Sequence, residues 1–237
     1  MQRYFAKQRE ENQFLLETDD YHHIKNVMRF KDGEKIQVVF EAIPYLCVLH
    51  YNQDQIQISF LEELEKTEDS ALEVILLLPL LKEQKMDFVL QKATELGVHK
   101  IVPVMTERSI VKLKEEKVDK KIERWTRICK EASEQSYRTD IPEITEIMTY
   151  QTMPKWDGLK LVCSTTEKVK TIKSSLQNES KCARIVIAVG PEGGLSSKEE
   201  SYLTSIGFEA VTLGNRIMRV ETVPIFMLSV LNYERMR

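Results

Sequence analysis

The chain has 237 residues, of which 42% are hydrophobic and 30% charged, the proportions of an ordinary globular protein. This length is sufficient for two domains with a sizeable core. The formal net charge of -3 excludes any argument for nucleic-acid binding from the charge of the whole chain. The longest apolar run, Val74 to Leu81, is too short to span a bilayer, and the N-terminus has no signal-peptide core. We therefore expect a cytoplasmic protein without a membrane segment.

Neither the cysteines nor the histidines form a pattern typical of a cross-linked or metal-binding protein. The four cysteines are scattered without a C-x-x-C pair, which favours free thiols in a reducing compartment over disulfides. The four histidines form no cluster with ligand spacing. We therefore expect no metal.

The first seventy residues are mostly of the β type. Short runs with strand character cover Gln37–Phe40, Tyr45–Tyr51 and Gln55–Phe60. A short helix is predicted over Asp20–Phe30, and Lys31–Glu34 is a turn signal. Together these elements predict a small barrel-like domain over residues 1–70, whose acidic end, residues 62–70, is a linker.

From residue 71 the pattern changes to alternating strands and helices, which predicts an α/β domain with a largely parallel sheet over residues 71–237. The predicted strands are Glu73–Leu81, Lys100–Met105 and Leu159–Cys163. The predicted helices are Gln84–Leu96, Asp119–Tyr137, Lys168–Gln177 and Thr222–Arg237.

The last fifth of the chain contains two further strands, each of which ends in a glycine turn. Ile185–Val189 is an unbroken apolar run that leads into Gly190-Pro-Glu-Gly-Gly194. A helix with a Ser196 to Glu199 capping box follows, and then the strand Phe208–Leu213, which meets Gly214. We expect both turns to open on one edge of the sheet, where open α/β sheets bind ligands.

These turns have two interpretations. Either glycine turn, taken alone, is explained as a tight turn with nothing bound, because G-P-E-G-G is neither a Walker loop nor a dinucleotide fingerprint. Two turns followed by the charged residues Arg216, Arg219 and Glu221 favour a binding site, because charges beside strand ends are costly unless paired or used. A Rossmann dinucleotide site is disfavoured, because the first βα turn, residues 81–85, has no glycine.

Basic residues are concentrated in one segment. Residues 108–138 carry ten basic residues against six acidic ones, and the acidic side chains are enriched in residues 36–80. A solvated helix face explains this segment on its own. With the second cluster of Arg3, Lys7 and Arg9, a phosphate-binding surface becomes plausible.

Several separate motifs, in order along nearly the whole chain, resemble those of one family. They are Gln91-Lys-Ala-Thr-Glu-Leu-Gly97, Glu107-Arg-Ser109, Arg124-Trp125, Glu131-Ala-Ser-Glu-Gln-Ser136 with Arg138 and Pro142, Val189-Gly-Pro-Glu-Gly-Gly194 and Leu213-Gly-Asn-Arg-Ile-Met-Arg-Val-Glu-Thr222. The chain thereby resembles the RsmE family, ribosomal-RNA methyltransferases that use S-adenosylmethionine to methylate N3 of a specific uridine in 16S rRNA. An N-terminal pattern of His23, Val27, Met28, Arg29 and Gly33 resembles the PUA-like barrel of that family.

The departures from the family pattern are mild. Met218 stands where leucine is usual, and Val220 and Val223 stand where alanine is usual. A glycine-bearing hairpin after Phe40 is replaced by Glu41-Ala-Ile-Pro44. The resemblance implies a SPOUT-class fold with a C-terminal trefoil knot, which base rates alone would exclude. It also implies a homodimer in which both chains contribute to each active site.

The resemblance further implies the residues of the cofactor site. Leu213, Ile217 and Met218 would flank the adenine. The full set of residues implied for S-adenosylmethionine is Thr165, Gly190, Pro191, Glu192, Gly193, Leu213, Gly214, Asn215, Arg216, Ile217, Met218 and Thr222.

For the chemistry, the uridine N3 proton must leave before or while the nitrogen attacks the methyl group, which requires a base or a cation beside the uracil. Arg219 is the candidate cation, and Glu221 is the candidate base or orienting partner, with a structural ion pair as the alternative. The candidate RNA-binding residues are Arg3, His23, Arg29, Lys92, Arg108, Lys112, Arg124 and Arg138. Two other functions stay open: an RNA-binding ribosome assembly factor that no longer transfers methyl groups, and a nucleotide-dependent enzyme acting on small molecules.

Overall fold

A computed structural model describes residues 1–53, 55–66, 72–109, 111, 115–178 and 182–235. The chain divides into two compact units, of which the first comprises Met1–Glu68 and Lys130–Ile141 and the second Asp69–Cys129 and Pro142–Arg237. The predicted domain boundary at residue 70 and the end of the predicted linker lie outside the described residues. The prediction had placed residues 130–141 in the second domain, whereas here they pack with the first unit.

The first unit is built on a six-stranded sheet. Its strands are β1 (Arg3–Phe5), β2 (Gln8–Glu10), β3 (Gln13–Leu15), β4 (Lys35–Phe40), β5 (Ile43–Asn52) and β6 (Gln55–Glu63), in the order β1-β4-β5-β6-β3-β2. The three long strands confirm the predicted β character, although β6 continues into the region predicted as linker. The first pair, β1 and β4, is parallel, and the remaining pairs are antiparallel.

The helix predicted over Asp20–Phe30 is present in two parts. An α-helix, α1 (Thr18–His22), continues directly into a π-helical turn, His23–Met28, which ends at Arg29 in a left-handed conformation. The turn leaves Val27 and Met28 exposed, at 60% and 40%. Only Ile24 of the π-helical turn is buried in the core of the unit, and His23 at its start contacts the buried Tyr4 hydroxyl.

The β4–β5 hairpin has a strained turn. Phe40 pairs with Ile43, so Glu41 and Ala42 alone form the turn, and their φ angles are +50° and +59°. Two-residue turns of this kind need positive φ at both positions and are normally built from Asn-Gly or similar pairs. The expected glycine is absent, and the conformation is kept with two L side chains.

The second unit alternates strands and helices. Its strands are β7 (Glu73–Pro79), β8 (Lys100–Val104), β9 (Glu143–Ile144), β10 (Leu159–Cys163), β11 (Arg184–Ala188) and β12 (Glu209–Val211). Its helices are α2 (Glu83–Glu95), α3 (Val118–Gln135, whose last part belongs to the first unit), α4 (Ile172–Asn178), α5 (Ser197–Ser205) and α6 (Thr222–Arg235). A short 3-10 turn, Glu115–Lys117, precedes α3.

All strand pairs of the second sheet are parallel, as predicted, and the order is β12-β10-β11-β7-β8-β9. The central strands β7 and β11 are apolar on both faces, and their residues from Val74 to Leu78 and from Ile185 to Ala188 are at most 5% exposed. Since all strands run in one direction, the turns that follow β10, β11 and β12 lie at one edge of the sheet. This confirms that the two glycine turns share an edge.

The helix before the second glycine turn is confirmed in detail. Ser196 caps α5 and accepts a hydrogen bond from Glu199 N, and the Glu199 carboxylate accepts one from Ser196 N in return. Gly207 follows the helix with φ +92°, as a helix stop requires.

One helix begins later than predicted. The prediction began α4 at Lys168, whereas the helix begins at Ile172. The reason is Glu167, whose carboxylate holds the backbone of the next three residues in a turn.

Candidate active site

The turn after β10 is organised by two side chains. Ser164 Oγ accepts a hydrogen bond from Thr166 N at 3.1 Å. One oxygen of Glu167 accepts hydrogen bonds from the next three amides, at 2.8, 2.6 and 3.0 Å. These backbone donors, the amide of Val169 first, lower the pKa of Glu167. The Lys170 carbonyl in turn accepts from Thr212 N at 2.8 Å, which joins the turn to the chain leaving β12.

A shallow cleft, with a cavity volume of about 80 Å³ and open to solvent, lies between the turns after β10 and β12. Its lining residues are Cys163, Ser164, Thr165, Lys168, Thr212, Leu213, Gly214, Asn215, Arg216, Ile217, Met218 and Val223. Within the described ranges, the backbone N–H groups of residues 215–218 donate to no other group of the chain. Gly214 has φ +107°, and a side chain added there would meet no atom within 4 Å. Residues whose backbone N–H groups have no partner within the described ranges therefore line the cleft.

The side chains of the cleft are mainly apolar or uncharged. Ile217 is 89% exposed and leaves its aliphatic side chain open to solvent. Met218, Leu213 and Val223 are partly exposed on the same wall. Burial raises the pKa of the Cys163 thiol to about 12, so it stays protonated and is a poor nucleophile. The cleft is suited to binding a molecule through apolar contact and backbone hydrogen bonds.

The glycine turn after β11 is held in place by its neighbours. Arg108 donates to the carbonyl oxygens of Gly193 and Leu195 at 2.9 and 3.1 Å. A side chain at Gly190 would approach Leu195 N to 3.1 Å, so Gly190 serves the packing of the turn itself. The cleft-lining residues above do not include Gly190, Pro191, Glu192, Gly193 or Thr222. The structure thus brings together seven of the twelve predicted cofactor residues in the cleft: Thr165, Leu213, Gly214, Asn215, Arg216, Ile217 and Met218.

The two candidate catalytic residues lie between this cleft and α6. The Arg219 carbonyl accepts from Thr222 N at 2.9 Å and so closes the first turn of the helix, while its side chain is exposed. Glu221 pairs with Lys85, at 3.1 Å between Oε2 and Nζ. Burial pushes the pKa of Glu221 up, but hydrogen bonds from its own backbone and from Lys85, together with the charges of Lys85 and Arg219, outweigh it, and the pKa is lowered. Glu221 is therefore ionised at neutral pH.

Two family models match the chain. One, described as an RNA methyltransferase domain, matches residues 68–232, and the other, described as an RNA methyltransferase PUA domain, matches residues 16–61. The ribosomal RNA small subunit methyltransferase E of Bacillus subtilis (strain 168) is 34% identical over 99% of this chain and 97% of its own length. The protein of that name from Mesomycoplasma hyopneumoniae (strain 232) is 32% identical, with 97% and 98% covered.

The chain belongs to the ribosomal RNA small subunit methyltransferase E family.

Solved structures of similar chains agree with this assignment. A ribosomal RNA small subunit methyltransferase E from Neisseria gonorrhoeae, bound to S-adenosyl methionine, superposes with a TM-score of 0.86 at 30% identity, covering 98% of this chain and 97% of the other. A methyltransferase from Legionella pneumophila in complex with the bound cofactor SAM gives 0.86 at 29% identity, with 98% and 96% covered. The family resemblance inferred from the sequence motifs is confirmed.

Of the predicted RNA-binding residues, Arg3 and Arg138 are turned into the first unit. They are 6% and 8% exposed. Arg3 donates to Gln37 and to the carbonyls of Tyr137 and Arg138, and Arg138 pairs with both oxygens of Asp140. Each guanidinium is already hydrogen-bonded inside the protein, which disfavours a contact of either one with RNA.

The other candidates are more accessible. Arg29 is exposed, and His23 is partly exposed with its Nδ1 2.9 Å from the Tyr4 hydroxyl. Lys92 pairs with Glu95 at 2.7 Å, and the Arg124 guanidinium is shared between Asp87 and Glu83. Arg108 holds the glycine turn. Lys112 lies outside the described residues.

Two residues near the site escaped the sequence analysis. Lys85 lies on α2, more than one hundred residues before its partner Glu192, and no local pattern links them. Glu167 carries no local signal either, because side chains that cap a turn in this way are usually those of Asp, Asn, Ser or Thr. Among the described residues, no group of three His, Cys, Asp or Glu side chains is arranged to hold a metal ion. No described helix has the length and apolar character needed to cross a membrane.

Proposed function

We propose that this chain transfers the methyl group of S-adenosylmethionine to small-subunit ribosomal RNA, and that the acceptor is N3 of a specific uridine. The observation that carries the proposal is the cleft between the turns after β10 and β12. It combines four free backbone N–H groups with an apolar wall, in a chain whose relatives over their full length are rRNA methyltransferases.

The cleft fits the adenosine part of the donor. An adenine ring presents acceptors along one edge and two apolar faces, which matches the amides of residues 215–218 and the side chains of Leu213, Ile217 and Met218. An adenine against Ile217 would also cover a side chain that is 89% exposed. When bound, S-adenosylmethionine supplies an electrophilic methyl group, so the protein has to orient the acceptor and remove its proton.

Arg219 and Glu221 perform the second task in this proposal. The exposed guanidinium of Arg219 stabilises the negative charge that develops on the uracil as N3 loses its proton. Glu221 is ionised and paired with Lys85, and a carboxylate with a lowered pKa is a weak proton acceptor. Of its two candidate roles, this favours the orienting partner of Arg219 over the base, and the proton then leaves to solvent.

Each unit carries its own candidate RNA-binding surface, namely the exposed side of α3 in the second unit and the π-helical turn in the first. Lys117, Lys120 and Arg127 are exposed on or just before α3, whereas Arg124 is neutralised by two carboxylates. Arg29 is exposed at the end of the π-helical turn beside the uncovered Met28. Cationic and apolar side chains together suit single-stranded RNA, whose bases and phosphates are both accessible.

The remaining features rest on the family relationship. We infer a SPOUT-class second domain with a C-terminal trefoil knot, a homodimer in which both chains contribute to each site, a domain boundary near residue 70 and action in the cytoplasm. No metal takes part in the proposed reaction.

The proposal is tested by incubating the chain with S-adenosylmethionine labelled in its methyl group and small-subunit RNA from cells that lack this protein. Digested RNA should contain labelled 3-methyluridine, and Arg219→Ala should abolish the label while the melting temperature is kept. RNA binding without any transfer would favour the assembly-factor alternative. The absence of salt-sensitive RNA binding would favour an enzyme of small molecules.

A further inference from the structure

Lys85 contacts two acidic side chains that come from distant parts of the chain. Its Nζ lies 2.9 Å from Glu192 Oε1 and 3.1 Å from Glu221 Oε2. Lys85 is in the first turn of α2, which begins beside the carboxyl end of β7. One ammonium group therefore joins three segments at the edge of the sheet where the cleft opens.

The two carboxylates belong to segments that matter for the proposed reaction. Glu192 is the central residue of the glycine turn after β11, whose far side is fixed by Arg108 through the carbonyls of Gly193 and Leu195. Glu221 lies between Met218 and Val223, which both line the cleft. A displacement of Glu221 would move this wall, and Arg219 with it.

The charge arrangement favours the ionised forms of Lys85 and Glu221. The hydrogen bond with Glu192 and then that with Glu221 raise the pKa of Lys85, while Lys85 counts among the groups that lower the pKa of Glu221. Removal of the ammonium would leave two carboxylates near each other without the cation they share. Like charges repel, so the glycine turn and the segment before α6 would separate.

We propose that Lys85 is a positioning residue for methyl transfer, which holds the glycine turn and the Met218–Val223 wall of the cleft in one arrangement through Glu192 and Glu221. The inference rests on the proposed function. It adds a residue outside the cleft, on another element, whose side chain touches neither the donor nor the RNA in this account.

The positioning role of Lys85 can be distinguished from a contribution to stability by comparing the loss of catalytic rate with the shift in melting temperature. Solvent-accessible ion pairs contribute little to folding, so Lys85→Met should shift the melting temperature by less than about 4 °C. A misplacement of about 1 Å in a catalytic site costs on the order of 100-fold in rate. We therefore expect kcat/KM for S-adenosylmethionine to fall about 10- to 100-fold, while the KM for RNA stays unchanged.

The experiment compares Lys85→Met, Lys85→Arg and a matched control, with steady-state methyl transfer and calorimetric titration of S-adenosylmethionine as readouts. Lys100 is the control, because it forms a similar pair with Glu143 at 2.9 Å, with 26% of its side chain exposed against 30% for Lys85, at the opposite edge of the sheet. Lys85→Arg should recover most of the activity, and Lys100→Met should behave as wild type.

The outcomes distinguish this inference from the proposed function. A wild-type chain that transfers no methyl group refutes the proposed function, and calorimetry then still tests whether Lys85→Met weakens donor binding. An active wild type together with a Lys85→Met variant of unchanged kcat/KM refutes the role of Lys85 alone. Activity losses that merely follow the melting temperature in all three variants would also refute it.

Discussion

Glu134 should make the folded state less stable as the pH rises towards neutral. Glu134 is 7% exposed, its carboxyl oxygen Oε1 lies 3.1 Å from Lys130 Nζ, and Lys130 also pairs with the buried Asp20. Burial raises the pKa of Glu134 to about 7; the charge of Lys130 opposes this and that of Asp20 reinforces it. A carboxyl whose pKa is raised on folding contributes stability that is complete below its unfolded pKa of about 4.5 and is lost as the pH rises through about 7.

The expected change in stability follows from how far folding raises the pKa of Glu134. A rise in the pKa of Glu134 from about 4.5 to about 7 lowers the free energy of unfolding by roughly 3 kcal/mol at high pH. About 2 kcal/mol of this loss falls between about pH 5 and pH 8. Glu134→Gln removes the titration, so its stability relative to wild type should improve by about 2 kcal/mol over this interval, or about 4–8 °C in melting temperature. The assay is thermal unfolding followed by circular dichroism across this pH range.

Glu131→Gln provides the control for Glu134→Gln, because Glu131 is exposed on the same helix. Its melting temperatures should follow those of wild type at every pH. Parallel curves for wild type and Glu134→Gln would refute the assignment of a protonated, buried Glu134.

Three further predictions follow from other residues. The Tyr150 hydroxyl is buried without a hydrogen-bond partner among the described residues, so Tyr150→Phe should be neutral or stabilise the protein by about 1 kcal/mol in urea unfolding. Tyr4→Phe should destabilise it by a similar amount, because the bond to His23 is lost. A Tyr150→Phe variant less stable than Tyr4→Phe would contradict this. Ala42→Gly should add roughly 0.5–1 kcal/mol by relieving the positive φ, and a loss would show that the turn is unstrained. Arg127→Ala should reduce the salt slope of RNA binding by about one, and Arg124→Ala by less, because Arg124 is paired with Asp87 and Glu83. Slopes equal to that of wild type in both variants would remove α3 from the interface.

Much of the second sheet could be predicted because its strands are buried on both faces. Runs such as Val74 to Leu78 leave no polar face and cannot be taken for amphipathic helices. Local chemistry was equally informative for α5, where the Ser196 to Glu199 capping box and Gly207 define both ends. The shared edge of the glycine turns then followed from parallel strands alone.

The parts that could not be predicted depend on contacts between distant residues. Strands β1 to β3 have three residues each and mixed polarity, so they carry no periodic signal, and they form by pairing with neighbouring strands. The association of residues 130–141 with the first unit depends on Arg3 and Asp20, which lie more than one hundred residues away. The Lys85 pairs are of the same kind, and composition gives no sign of them.

The central claim is that the methyl donor lies in the cleft between the turns after β10 and β12. A crystal structure of this chain with S-adenosylmethionine tests it most directly. We expect the adenine against Ile217 and Met218, with hydrogen bonds from the backbone amides of residues 215–218. A well-ordered donor bound at another place, with these amides still without a partner, would contradict the account.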